Sequence, residues 1–154
     1  MKIVVVMNPK GGVGKSTLST QIAGYFASCG HSVILGDADV QESAKNWLRV
    51  RPNTVASIRT WDLPADLAIT ATAPEGTSHV VIDTAGSIQG WRMERLIERA
   101  SKIVIPVQPS TFDMQATRAF FAQLRGHFGR NDQGLGAVGM RVVPRTISAR
   151  QLEA

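Results

Sequence analysis

Short runs of apolar, β-branched residues alternate with longer stretches of helical periodicity along this chain. The runs predict strands at residues 3–7, 31–36, 54–60, 79–82, 103–107 and 138–143. The longer stretches predict helices at residues 15–28, 41–50, 64–73, 89–100 and 112–128, and Ser148 is predicted to cap a further helix. This alternation is typical of an α/β fold with three layers, in which a mostly parallel, twisted sheet has helices on both faces.

Length and composition predict one domain over residues 1–154. Single domains commonly run to about 100–200 residues, and 44% hydrophobic with 19% charged residues is usual for a globular protein. No apolar run reaches the roughly 18–20 residues of a membrane span, and the opening strand is too short for a signal peptide. The single cysteine, Cys29, excludes an internal disulfide. We therefore expect a cytoplasmic protein with no membrane partner.

A glycine-rich loop follows the first predicted strand and leads into the first helix. Gly11, Gly12 and Gly14 let the backbone curl around an anion, and the amino end of the helix presents its N–H groups to the same anion. Lys15 is expected to reach the β- and γ-phosphates of ATP, Ser16 to bind Mg²⁺ through its hydroxyl, and Thr17 to contact the α-phosphate. The predicted nucleotide-binding segment is Lys10, Gly11, Gly12, Val13, Gly14, Lys15, Ser16 and Thr17.

Aspartates end two of the predicted strands at the edge of the sheet where ligands bind in this architecture. Asp37 and Asp39 follow the second strand, where two carboxylates suit a Mg²⁺ shell and an attacking water; the alternative is a pair that only forms a turn. Asp83 ends the strand at 79–82 and matches the aspartate that holds Mg²⁺ through water in P-loop proteins; the alternative is a helix cap. Gly86, shortly after it, would allow a switch loop to move.

The loop departs from the usual motif, because Pro9 stands in place of the first glycine and Lys10 directly precedes Gly-Gly. This pattern resembles the deviant Walker A motif of the ParA/MinD family of ATPases, of the SIMIBI class of P-loop proteins, and most resembles the small plasmid-partition ParA proteins. The likeness continues through residues 36–41, 80–83 and 105–109, although Val40 stands where the family usually has proline.

The resemblance implies roles for individual residues. The lysine at position 10 would cross to the ATP of a partner subunit, so that Lys10 and Lys15 act in catalysis together with Asp39, which would orient the attacking water. Asp37 and Asp83, with Ser16, would form the magnesium site. Arg145, after the last predicted strand, would contact adenine. Relatives continue with a further strand and closing helices, which we expect this chain to lack.

The resemblance also implies a function: an ATP-dependent homodimer that binds DNA nonspecifically, associates with the nucleoid, and hydrolyses ATP slowly when a ParB-like or cargo adaptor protein stimulates it. The basic second half of the chain, which contributes four of the five net positive charges, permits DNA binding. The candidate DNA-binding residues lie on two helix faces, and the alternative is that these faces are only exposed to solvent. The first face has Arg92, Arg95, Arg99 and Lys102, and the face on the next helix has Arg118 and Arg125.

Two other functions remain open from the sequence. A MinD-like membrane-associated positioning ATPase would need an amphipathic helix at the carboxyl end, which the sequence does not contain. A small-molecule kinase or ligase on the same fold is less favoured, because Lys10 has no role in it and no acceptor pocket with a base is evident. The nitrogenase-like branch of the class is excluded, because the cluster shared between its subunits needs two cysteines from each subunit and this chain has one.

Overall fold

The computed structural model describes residues 1–63, 73–128 and 134–153. Its strands are β1 (Lys2–Val6), β2 (Val33–Asp37), β3 (Arg59–Trp61), β4 (His79–Asp83), β5 (Lys102–Val107) and β6 (Leu135–Gly139). Its helices are α1 (Lys15–Ser28), α2 (Ser43–Arg49), α3 (Gly90–Arg99), α4 (Thr111–Phe128) and α5 (Ile147–Glu153). The helix predicted at 64–73 lies almost wholly outside the described residues.

The six strands form one sheet in the order β3-β2-β4-β1-β5-β6, and every neighbouring pair is parallel. The carboxyl ends of β1, β2 and β4 therefore meet at one edge, where Asp37 stands opposite Asp83 in the strand register and Val6 stands opposite Asp83 on the other side. This arrangement confirms the predicted α/β class and brings the loops after these three strands together.

Two apolar cores, one on each face of the sheet, make the three layers. Ile3, Val5 and Met7 of the β1 region face a core built with α3 and α4, whereas Val6 faces a core built with α1 and α2. Because successive side chains of a strand point to opposite faces, a strand buried on both faces must be apolar throughout. The continuous apolar run of residues 3–7 follows from this requirement.

The last strand and the last helix differ from the sequence prediction. The strand predicted at 138–143 runs from Leu135 to Gly139, because it pairs residue by residue with β5 despite two glycines of low strand propensity. It ends where Arg141 adopts a left-handed φ of 53°. Ser148 lies inside α5, and the cap is Thr146, whose hydroxyl accepts a hydrogen bond from the Ala149 N–H at 3.1 Å. The strand predicted at 54–60 is reduced to the three residues of β3.

Candidate nucleotide-binding site

A cleft of about 740 Å³ opens at the carboxyl edge of the sheet. Its volume falls in the range of about 300–1,000 Å³ typical of small-molecule sites. Its walls come from the loop after β1, the first residues of α1, residues 38–43, residues 85–89, and two arginines. The predicted site residues in these walls are Gly11, Gly12, Gly14, Lys15, Ser16, Thr17 and Asp39.

The glycine-rich loop curls at the two positions where the backbone is left-handed. Gly12 has φ +73°, and Gly14, the residue before α1, has φ +98°. A side chain at position 14 would also meet Met140, whose Cε lies 2.9 Å from the place of a Cβ. Val13 is buried beneath the loop rather than in the cleft wall. The backbone of the loop therefore faces the cleft, while the buried side chain of Val13 anchors the loop on the core side.

A buried asparagine fixes the start of this loop. The Nδ2 of Asn8 donates to the Pro106 carbonyl oxygen at 2.8 Å and to the Thr117 hydroxyl at 3.0 Å, and its Oδ1 accepts from the Lys10 N–H at 2.9 Å. These bonds join the loop to β5 and α4. Asn8 is not among the predicted site residues, and its signal in the sequence is a polar residue directly after a buried apolar strand.

Lys15 lies within the site rather than in solvent. Its Nζ donates to the Lys10 carbonyl oxygen at 2.7 Å, and its side chain is buried enough that desolvation lowers the pKa of the ammonium, partly opposed by the carboxylates of Asp83 and Asp39. Gly86 passes close above it: a Cβ there would lie 3.3 Å from the Lys15 Nζ. The loop after β4 can therefore approach the lysine because residue 86 has no side chain.

Asp83 is fully buried and only half satisfied. Its Oδ1 accepts a hydrogen bond from the Ser19 hydroxyl at 3.1 Å, whereas its Oδ2 has no hydrogen-bond partner among the described residues. Burial raises the pKa of this carboxyl to about 6, while the hydroxyls of Ser16 and Ser19 act in the opposite direction. A buried carboxylate oxygen without a partner, close to a serine at the start of α1, fits a hydrated Mg²⁺ ion.

Asp37 and Asp39 take different positions after β2. The Oδ1 of Asp37 accepts from the Asp39 N–H at 3.0 Å, and its Oδ2 accepts from the Ala44 and Lys45 N–H groups at 2.9 and 3.2 Å. Asp37 therefore satisfies the amino end of α2. Asp39 lines the cleft and accepts from the Gln41 N–H at 3.0 Å. The magnesium role of Asp37 and the water-orienting role of Asp39 stay predictions.

Lys10 and Arg145 are predicted site residues that are exposed and lie outside the cleft wall. The Lys10 side chain is 45% exposed, with its Nζ 3.9 Å from the Asp113 Oδ1, so it points away from the nucleotide site of its own chain. Arg145 is exposed and away from the wall, where Arg141 stands instead. The adenine contact of Arg145 stays a prediction, and the first arginine after β6, which ends at Gly139, is Arg141.

No three His, Cys, Asp or Glu side chains in residues 1–63, 73–128 and 134–153 are grouped so that they could hold a metal ion by themselves. A Mg²⁺ ion here would depend on Ser16, Asp83 and the phosphates of a nucleotide together, which is how Mg²⁺ is usually bound. Among the same residues, no helix has the length and apolar character needed to cross a bilayer.

A parallel strand, a glycine-rich loop, Lys-Ser at the start of a helix and a buried aspartate at the end of the adjacent strand define a P-loop nucleotide-binding domain. The family model of the CobQ/CobB/MinD/ParA nucleotide binding domain matches residues 4–153, and the chain belongs to this family. The resemblance to ParA and MinD proteins seen in the sequence is confirmed.

Two curated relatives are partition or positioning proteins. The chain is 29% identical over 113 residues to "Maintenance of carboxysome distribution protein A" of Gloeobacter kilaueensis, across 73% of this chain and 52% of that protein. It is 26% identical to the chromosome-partitioning ATPase Soj of Thermus thermophilus, across 98% of this chain and 74% of that protein. The chain thus spans about half the length of the first relative and about three quarters of the second.

Solved structures share the fold at lower identity. A plasmid partition protein from Borrelia burgdorferi bound to AMPPNP superposes with a TM-score of 0.76 at 17% identity, over 98% of this chain and 80% of that one. Cobyrinic acid a,c-diamide synthase from Mycobacterium smegmatis with bound ATP analog and magnesium gives 0.77 at 18%, over 99% and 80%. The pNOB8 ParA protein bound to nonspecific DNA gives 0.74 at 18%, over 99% and 74%.

Proposed function

We propose that this domain is a ParA-type ATPase that binds Mg·ATP in the cleft and forms a homodimer around it. In that state it binds DNA without sequence preference, so that it associates with the nucleoid, and a ParB-like or cargo adaptor protein stimulates its slow hydrolysis of ATP. One observation carries the proposal: Lys15, Ser16 and Asp83 converge at the glycine-rich loop, while Lys10 of the same loop points outward.

The residues that would hold the nucleotide are those of the loop and the start of α1. Backbone N–H groups of residues 11–17 would bind the phosphates, and Lys15 would leave the Lys10 carbonyl to bind the terminal ones. The Ser16 hydroxyl and the Asp83 carboxylate would hold Mg²⁺, which neutralises phosphate charge when bound. The Oδ2 of Asp83, which has no hydrogen-bond partner among the described residues, would then face the hydrated cation.

The rim of the cleft has the character of a contact surface. Val40 is 97% exposed and Phe112 is 79% exposed, and both follow strands at the carboxyl edge of the sheet. Exposed apolar side chains beside a polar site often mark a protein interface. The exposed Lys10 could reach the triphosphate of a second copy that covers this rim. These features, with the family, support a dimer that closes over two nucleotides.

DNA binding is supported by charge and by a neighbour in fold. The net charge of the chain is +5, and α3 exposes Arg95 and Arg99 on one helix face. Contacts from such residues would go to phosphates, which carry no sequence information, and the affinity would fall steeply with salt. The pNOB8 ParA protein of the same fold was solved on nonspecific DNA.

Slow hydrolysis follows from what lines the cleft. Asp39 is the carboxylate in its described walls, and no histidine lies in them. Phosphoryl transfer depends mainly on positioning and on charge neutralisation, so a partner that orders Asp39 or the loop at residues 85–89 would accelerate it. Slow hydrolysis suits a molecular switch, which stays in its ATP-bound state until the partner accelerates hydrolysis.

The test compares oligomeric state and nucleotide binding in Lys10→Ala and in Lys2→Ala, an exposed lysine at the opposite edge of the sheet. We expect the unsubstituted protein and Lys2→Ala to dimerise with a nonhydrolysable ATP analogue and Mg²⁺ but not with ADP, by light scattering. Lys10→Ala should bind both nucleotides by calorimetry and stay monomeric. Dimers of Lys10→Ala, or no heat from either nucleotide, would refute the proposal. ATP turnover measured with DNA separates the proposed function from the kinase alternative. ATP turnover measured with anionic liposomes separates it from the membrane alternative.

A further inference from the structure

Two arginines stand in the cleft wall although the glycine-rich loop motif does not include them. Arg92 comes from the first turn of α3, and Arg141 follows β6. Together with Lys15 they give the wall three cations against the single carboxylate of Asp39, an excess of two positive charges that complements an anionic ligand. Lys10 contributes nothing to this excess within one chain, because it lies outside the wall.

The two arginines come from different segments of the cleft wall. The Nζ of Lys15 marks the expected place of the β- and γ-phosphates, and a Cβ on Gly86, in the loop after β4, would lie 3.3 Å from it. Arg92 belongs to the wall that continues from Gly86 through residues 87–89. Arg141 adjoins Met140, which packs against Gly14 at the start of α1. Arg92 is therefore the arginine that shares its wall segment with Gly86, the residue beside the Lys15 ammonium.

The helix that carries Arg92 is anchored in the core. Met93, Leu96 and Ile97 are buried against the sheet, so the backbone at residue 92 is held in place while its side chain is exposed to the cleft. The Arg92 guanidinium carbon lies 5.9 Å from the centre of the Trp91 ring, and no carboxylate lies within ion-pair distance of it among the described residues. The group is positioned and remains available to an anion.

We propose that Arg92 donates hydrogen bonds to the terminal phosphate of ATP and thereby distinguishes ATP from ADP. The inference rests on the proposed function, since it assigns a role inside the same nucleotide site. A guanidinium suits the task because its planar fork binds two phosphate oxygens at once and never loses its charge. This role differs from that of Arg95, which lies on the same helix face one turn further from the cleft. Arg95 remains a candidate for DNA binding.

The experiment measures, by calorimetry in excess Mg²⁺, the dissociation constants of ADP and of a nonhydrolysable ATP analogue. The proteins compared are the unsubstituted chain, Arg92→Gln, Arg92→Lys, and Arg150→Gln as a matched control on the exposed surface of α5. We expect Arg92→Gln to weaken the ATP analogue by about 10-fold to 100-fold and ADP by less than about twofold, as for the loss of hydrogen bonds to a charged group. Arg92→Lys should recover part of the loss, and Arg150→Gln should match the unsubstituted protein.

The outcomes separate this inference from the function on which it rests. If the unsubstituted protein binds neither nucleotide, the proposed function fails and the role of Arg92 fails with it. If the unsubstituted protein binds both but Arg92→Gln weakens them equally, or weakens neither, the nucleotide site stands and the terminal-phosphate role is refuted. Circular dichroism and the urea midpoint of Arg92→Gln establish that the variant is folded; because the side chain is exposed, neither should change.

Discussion

Asp83 is a buried carboxyl with one unpartnered oxygen, and the ligand-free protein should reveal this in the pH dependence of its stability. Its pKa is raised from 3.8 to about 6, mainly because burial disfavours the charged form. Well below pH 3.8 the carboxyl is protonated in both the folded and the unfolded chain. As the pH rises toward and past 6, the unfolded chain releases this proton first, so the folded state progressively loses stability.

The size of the effect follows from the two pKa values. The gap between 3.8 and about 6, at about 1.4 kcal/mol per pH unit, corresponds to about 3 kcal/mol of unfolding free energy in total, and about 2 kcal/mol of this is lost between pH 4 and pH 7.5. Asp83→Asn has nearly the same shape and cannot ionise, so it should not lose this contribution. The new amide group has its own hydrogen-bonding cost, but that cost does not change with pH. The stability difference between the variant and the unsubstituted protein should therefore change by about 2 kcal/mol across this range.

The assay is urea unfolding followed by circular dichroism at several pH values from 4 to 7.5, with chelator and without nucleotide. Taking the difference between the two proteins at each pH removes the titration of every other group. Ser19→Ala is the matched control: it retains the Asp83 charge but removes the hydroxyl that donates to Oδ1. That variant should keep the pH dependence and extend it to higher pH, because the hydroxyl lowers the pKa of Asp83.

A difference between Asp83→Asn and the unsubstituted protein that stays constant from pH 4 to 7.5 would refute the reasoning, because it would mean that the buried carboxyl titrates normally. Saturating Mg²⁺ and nucleotide supply a second comparison. They should raise the melting temperature of the unsubstituted protein much more than that of Asp83→Asn, since binding stabilises only the state that holds the ligand. Equal stabilisation of both would remove Asp83 from the magnesium site.

Three further predictions concern the same fold. Asn8→Ala should lower the unfolding free energy by about 1–3 kcal/mol, measured in urea, because it leaves buried groups of β5 and α4 without partners. Gly86→Ala should weaken nucleotide binding in calorimetry with little change in urea midpoint, because its Cβ would lie 3.3 Å from the Lys15 Nζ. His79 has a pKa lowered from 6.5 by burial and by His31, so stability should fall as the pH drops below about 6.5. In His79→Gln that loss should be smaller, as followed by acid titration of circular dichroism.

Most of the fold could be predicted because the strands near the site are locally unambiguous. Residues 3–7 and 80–82 are apolar throughout, and such runs between helices have few other interpretations in an α/β sequence. Strand β6 was placed too late because its sequence, Leu-Gly-Ala-Val-Gly, has weak strand propensity and is specified by pairing with β5. The same shift brings Arg141, the first arginine after β6, into the cleft wall.

The site was predictable where its geometry is local in sequence. The left-handed glycines and Lys15 lie within four residues of one another, so the motif contains their arrangement. The contacts that hold the loop join residues 98 and 109 positions apart, as Asn8 does with Pro106 and Thr117. The contact between Lys10 and Asp113 also joins residues that are far apart in the sequence. No periodicity specifies such pairs, because they depend on which strands become neighbours in the sheet.

Asp37 and Asp83 show how equivalent positions in a sequence acquire different chemistry. Each ends a buried strand, and the two face each other in the register of β2 and β4. Asp37 is followed by a turn into α2, so that N–H groups of α2 donate to its Oδ2 and the Asp39 N–H donates to its Oδ1. Asp83 is followed by the loop containing Gly86, which offers its Oδ2 no donor. We therefore expect a cation that binds with a nucleotide to be held by the unpartnered oxygen of Asp83. Asp37 instead holds in place the segment that carries Asp39.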